Sequence, residues 1–105
     1  MQFIQVIDHI CKTLETHRYK SNKTASFCYA AIAVSFLGNK NNRRYLSGDI
    51  KNELQKSIDT FQNEMLEIKN WIETGKSHFS SDELKKLEDE FNFIERDLGF
   101  MISTT

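Results

Sequence analysis

Proline is absent from this 105-residue chain, and glycine occurs only four times. Strand-and-turn folds need both residues at their corners, so their scarcity argues for helices. Cysteine is scarce too. Cys11 and Cys28 are the two present, and no CxxC pair exists, which excludes a zinc knuckle or a dithiol redox motif. Both sit among apolar neighbours, as reduced core thiols do, and a disulfide between them is open if their helices touch. The longest apolar stretch, Ala25 to Leu37, is 13 residues and is broken by Ser26 and Ser35. A bilayer needs ~20. The opening Met1-Gln2-Phe3-Ile4-Gln5 has no basic lead and no small-residue cleavage site, unlike a secretion signal. These absences predict a cytoplasmic protein without a membrane partner.

What the chain does contain is helical periodicity. Four segments place apolar residues three and four apart, at about 100° per residue. Over 2–17 the stripe is Phe3, Ile7, Ile10 and Leu14, widened by Ile4, Val6 and Cys11. Over 24–37 almost every position is apolar, with Ser21 and Asn22 as caps ahead and Gly38 as the stop. A helix without a polar face is expected at the centre, wrapped by the others. The polar basic run Gly38 to Arg44 reads as a loop. Over 49–74 the stripe runs Ile50, Leu54, Ile58, Phe61, Met65, Ile68 and Ile72, with Ser47 as its cap and Gly75 as its end. Over 81–98 it runs Leu84, Leu87, Phe91, Ile94 and Leu98. Ser80 and Glu83 make an S-x-x-E capping box there, Phe79 and Leu84 a hydrophobic staple, and Gly99 a stop. The expectation is all-α: one domain over 1–105, a compact four-helix bundle with a central apolar helix 2 and a long helix 3. Helices three and four are expected to form an antiparallel hairpin.

Nothing in the sequence marks catalysis. His9, His17 and His78 belong to no HExxH or CxxH, and no GxSxG or glycine-rich phosphate loop occurs. None of Arg18, Arg43, Arg44 or Arg96 has a histidine four to six residues on, the spacing of helical HEPN-type nucleases. No catalytic residue, metal or cofactor is expected, and the chain reads as a non-enzyme.

Charge is more informative. Residues 1–48 hold seven basic groups against two acidic, a balance of +5, and residues 49–105 hold seven against thirteen, a balance of −6. The basic groups cluster as Arg18, Lys20 and Lys23 and as Lys40, Arg43 and Arg44, with Tyr19 and Tyr45 alongside. Basic residues interleaved with aromatics are what a nucleic-acid surface uses. The acidic groups, Glu88 among them, crowd the fourth helix, where Asp89, Glu90 and Asp97 stand beside Phe93 on the side away from the apolar stripe. On the third, Glu64 and Glu67 share a flank with Trp71. Aromatic anchors among carboxylates suit a basic protein partner, since charge steers the encounter and buried rings hold it. Trp71 has a second reading, as the end of the core.

A short helical chain with no catalytic motif and an acidic half carrying Trp71 and Phe93 resembles the small immunity proteins of bacterial toxin systems, those of contact-dependent inhibition included. The resemblance implies a non-enzymatic inhibitor that neutralises a cognate, basic, nuclease-like toxin domain. The partner-binding set is then Glu64, Glu67, Trp71, Glu88, Asp89, Glu90, Phe93 and Asp97. Two alternatives stay open. One is another helical interaction module, such as a secretion chaperone, phage inhibitor or assembly subunit, in which exposed apolar residues serve a homodimer. The other is a nucleic-acid binder using Arg18, Lys20, Lys23, Lys40, Arg43 and Arg44.

Overall fold

The four periodic segments are four helices in a computed structural model that describes residues 2–39 and 50–103. They are α1 (Phe3–Thr16), α2 (Ser21–Gly38), α3 (Ile50–Thr74) and α4 (Ser81–Ser103), with a 3₁₀ turn at Lys76–His78 before α4. No strand occurs among the described residues. The polar run from Lys40 to Arg44 and the cap at Ser47 lie outside them.

Each junction has a local cause. α1 ends in a Schellman turn. The Tyr19 N–H donates to the Leu14 carbonyl at 2.9 Å and the Arg18 N–H to the Glu15 carbonyl at 3.0 Å. Arg18 takes the left-handed conformation, φ 63°, that glycine usually supplies at this position. Tyr19 is then buried and the chain turns straight into α2. Hence α2 starts at Ser21, three residues before the expected Thr24, with the Lys20 carbonyl accepting from the Thr24 N–H at 3.0 Å. The capping box of α4 forms in both directions. The Glu83 N–H donates to Ser80 Oγ at 3.1 Å, and the Ser80 N–H to Glu83 Oε1 at 3.0 Å. α4 does not stop at Gly99 but continues to Ser103. A helical glycine costs only about 1 kcal/mol, and going on brings the half-buried Met101 against Gly38 of α2.

Side-chain contacts fix the topology. α1 meets α2 at Cys11 and Cys28, α2 meets α3 at Lys23–Glu67 and Ser26–Glu64, and α1 meets α4 at His17–Glu83 and His9–Glu90. Lys69 of α3 pairs with Glu95 of α4. Across α2–α3 and α1–α4 rising numbers on one helix meet falling numbers on the other, and the short turns after α1 and after α3 reverse the chain, so neighbouring helices are antiparallel, the expected α3–α4 hairpin among them. The order around the bundle is α2, α1, α4, α3. α1 and α3 meet across the middle, where Phe3 lies 5.8 Å from Phe61 and Tyr19 lies 4.8 Å from Trp71 between ring centroids. Phe27 of α2 stacks on Phe61 at 5.0 Å. Ring pairs of this kind add about 0.5–1.5 kcal/mol beyond the area they bury. Ile10, Leu14, Leu54, Ile58, Ile68, Ile94 and Leu98 fill the rest of the core.

α2 is not wrapped on all sides. Phe27, Ala31 and Val34 are fully buried against α1 and α3, but Tyr29 is 74% exposed, Ile32 55% and Phe36 48%. Ala25 and Ala33 are exposed beside them. Four helices in a square leave each with an outer side, and that of α2 is mostly apolar beyond its first turn. The expected central position is corrected to a corner, diagonally opposite α4.

Candidate protein-binding surface

Folding disperses the acidic set. On α3, Glu64 accepts from Ser26 Oγ at 3.1 Å, and Glu67 pairs with Lys23 at 3.2 Å. Both carboxylates therefore stitch α3 to α2, and the Glu67 carboxylate holds the Lys23 ammonium above its ordinary pKa. Trp71 is half-buried between Tyr19 and Phe79, the latter edge-on at 6.0 Å. It completes the core at the end of α3, which was the second reading of that residue. Burial among these groups raises the Tyr19 hydroxyl pKa, with the Glu67 charge adding to it.

On α4 the set divides again. Glu90 is 5% exposed and turned toward α1, where His9 Nδ1 lies 3.5 Å from Oε2. Neither carboxylate oxygen has a hydrogen-bond partner among the described residues. Burial raises its pKa. Phe93 is half-buried against the core rather than standing out beside Asp89. The expected place of Glu90 on an outer acidic face is corrected, because α1 covers it there, whereas Phe93 keeps one side open beside Arg96, Asp97 and Phe100. Glu88 and Asp89 are exposed and Asp97 is half-exposed, with Lys85, Lys86 and Arg96 exposed along the same helix. The capping residue Glu83 is held below the ordinary carboxylate range, first by its hydrogen bond with His17 and then by the Ser80 backbone.

Between α3 and α4 runs a groove of about 290 Å³ that the sequence did not mark. Ile72, Leu84, Leu87 and Phe91 form its apolar floor, with Glu73 and Glu88 on opposite lips. Lys69 and Lys76 also line it. Lys69 is taken up by Glu95 and stands 5.4 Å from the centre of the Phe91 ring, whereas Lys76 approaches Glu73 only to 3.9 Å. Glu88 has no such partner among the described residues. The sequence signal for this groove was weak: Glu73 and Glu88 flank the two apolar stripes, but only the hairpin turn of Gly75–Phe79 tells that they face each other.

The basic set does not come together among the described residues. Arg18 and Lys20 are exposed at the α1–α2 turn, Lys23 is half-buried and paired with Glu67, and Lys40, Arg43 and Arg44 lie outside the described residues. Among these residues no group of three or more His, Cys, Asp or Glu side chains is placed to hold a metal ion. No helix among them is long and apolar enough to cross a membrane. No protein-family model matches the chain, and comparison with curated proteins and with solved structures gave no match.

Proposed function

We propose that this protein is a non-enzymatic inhibitor of the immunity type, which binds a basic toxin-like domain in the cytoplasm through the α3–α4 side of the bundle. The observation that carries the reading is the groove between these helices, with its apolar floor and carboxylate lips. A lysine or arginine has the matching shape. Its aliphatic stem lies along apolar surface while its charged head reaches a carboxylate. Glu88 is the first contact because it is exposed and no ion pair engages it among the described residues, and Asp89 and Asp97 extend the acidic surface along α4. Of the acidic and aromatic residues singled out by sequence, these three remain in the proposed interface. Glu64, Glu67, Trp71 and Phe93 instead support the fold that presents them, and Glu90 is buried at the α1–α4 seam.

The test is capture from lysate of the source cell with this protein as bait, followed by binding kinetics on the protein retained. The expected result is one basic protein in stoichiometric amount, bound with an association rate that falls as salt rises. Glu88→Lys is expected to weaken that complex by about 1–3 kcal/mol while leaving the helical content unchanged. Recovery of the bait alone, or of nucleic acid, overturns the reading. So does a complex indifferent to Glu88→Lys.

A further inference from the structure

The seam between α1 and α4 differs from the others in what bridges it. Lys23–Glu67 and Ser26–Glu64 join α2 to α3, and Lys69–Glu95 joins α3 to α4. A lysine keeps its charge throughout the neutral range. The α1–α4 seam has instead two histidine–carboxylate pairs. His17 Nε2 lies 2.9 Å from Glu83 Oε2, and His9 Nδ1 lies 3.5 Å from Glu90 Oε2. His9 and His17 are eight residues apart on α1, and Glu83 and Glu90 seven apart on α4. Both pairs therefore lie along one line of contact, about two turns from each other. Imidazole is the side chain that gains or loses its charge between about pH 5 and 8.

The settings of the pairs favour charge. His17 caps the C-terminus of α1, and Glu83 stands in the first turn of α4. Helix ends suit a cation at the first place and an anion at the second. At the other pair, a charged His9 is what the buried Glu90 carboxylate lacks. Among the described residues no other charged group lies within ion-pair distance of these four. Lys86 bears on Glu90 from its own helix, Asp8 and Lys12 of α1 pair with each other, and His78 and Trp71 share a small pocket with His17.

We propose that these two pairs form a pH-dependent clasp, which holds α4 to α1 in mildly acidic solution and lets α4 open more often above neutral pH. Below the range in which imidazole titrates, each pair holds a proton and charge bridges the seam. Above it that proton is gone. Glu83 then keeps only a hydrogen bond from a neutral ring, and Glu90 is left a buried anion. α4 is the helix that moves, because α1 is pinned elsewhere. It meets α2 at Cys11 and Cys28, and its neighbours across the middle are Phe61 and Trp71 of α3. α4 joins α3 through the turn at Lys76–His78, and an element attached in this way can open as a unit while the rest stays folded. It carries one wall of the α3–α4 groove, but the inference stands whether or not a partner fills that groove.

Hydrogen exchange read by mass spectrometry at about pH 5.5 and about pH 8 tests this, with each rate divided by the intrinsic rate at that pH. The amides of α4 are expected to open about fivefold or more often at the higher pH, while those of α2 and α3 keep their protection. His9→Gln and His17→Gln retain a hydrogen-bonding side chain without the charge. Each is expected to shrink the pH effect, and the double variant to abolish it. Should the double variant fail to fold, the single variants decide. His78→Gln is expected to keep the full effect. Equal opening of α4 at both pH values overturns the inference. So does a pH effect that both single variants retain in full, or a loss of protection shared equally by all four helices.

Discussion

Glu90 is the residue whose environment fits it least. It sits at the α1–α4 seam with both oxygens lacking hydrogen-bond partners among the described residues, and its pKa is raised by burial. The carboxyl thus holds its proton more readily in the folded chain than in the unfolded one. The protonated form carries a smaller burial penalty than the charged one, and the penalty grows as pH rises through the raised folded value. Replacing Glu90 by Leu is expected to stabilise the protein at neutral pH by about 1–2 kcal/mol. The advantage should shrink as the solution is acidified and wild-type Glu90 protonates. Urea titrations of both proteins at a series of pH values measure the difference. A variant no more stable than the parent at neutral pH would mean that the carboxylate is satisfied where it lies. Glu83, seven residues earlier, behaves in the opposite sense. Its lowered pKa gives stability above the ordinary carboxylate range that is lost as pH falls through the folded value.

At the scale of the elements, the seam between α1 and α2 holds a pair of thiols. Cys11 Sγ and Cys28 Sγ are 2.7 Å apart, and the helices touch as the disulfide reading required, although both cysteines are free thiols in this structure. Burial raises the pKa of the Cys11 thiol, and the nearby Cys28, Glu15 and Asp8 raise it further, so it remains protonated at neutral pH. Cys28 is half-exposed and is the sulfur that a dissolved disulfide reaches first. Treatment with oxidised glutathione is expected to release two reduced glutathiones and leave the chain two hydrogens lighter, with α1 and α2 joined. A closed loop of this length adds about 3 kcal/mol by restricting the unfolded chain, visible as a higher melting temperature. A stable mixed disulfide at Cys28, with no cross-link, would show that the two sulfurs cannot reach bonding geometry.

These elements also show what a sequence can and cannot tell. The apolar stripes placed all four helices, because 3-4 spacing is a property of neighbours along the chain. The capping box at Ser80 and Glu83 was readable for the same reason. The early start of α2 was not, because it depends on Arg18 accepting a conformation that its side chain disfavours. Gly99 was read as a stop, yet a stop needs a left-handed turn, and the packing of Met101 favours continuing the helix. The candidate site was least legible. Glu90 was expected to face outward from its own helix, but the position of α1 decided what covered it. For α2 the composition was plain and the inference from it wrong. A helix apolar on all sides was expected to be covered by its own chain, yet Tyr29 and Ile32 remain exposed.

The molecule as a whole is longer than it is thick, with principal extents of 46 × 24 × 18 Å and a radius of gyration of 14.4 Å. A compact chain of this length has a radius of about 13 Å, and the excess comes from α3, 25 residues and about 37 Å long. No core atom of so thin a body is far from the surface, which is why half-buried residues such as Trp71, Phe93 and Met101 are part of both.

The antiparallel order of the helices has a kinetic consequence. α1 with α2, α2 with α3 and α3 with α4 are each neighbours in sequence and in space, so three of the four seams can close as hairpins without a distant part of the chain being found first. The seam between α1 and α4 alone joins the two ends of the domain. Chains dominated by such local encounters reach the native state in microseconds to milliseconds. Stopped-flow refolding monitored at Trp71 should show one phase, complete within milliseconds, with no slow proline-limited component because the chain has no proline. Weakening the α1–α4 seam at His17 should then speed unfolding more than it slows folding, because that seam closes last.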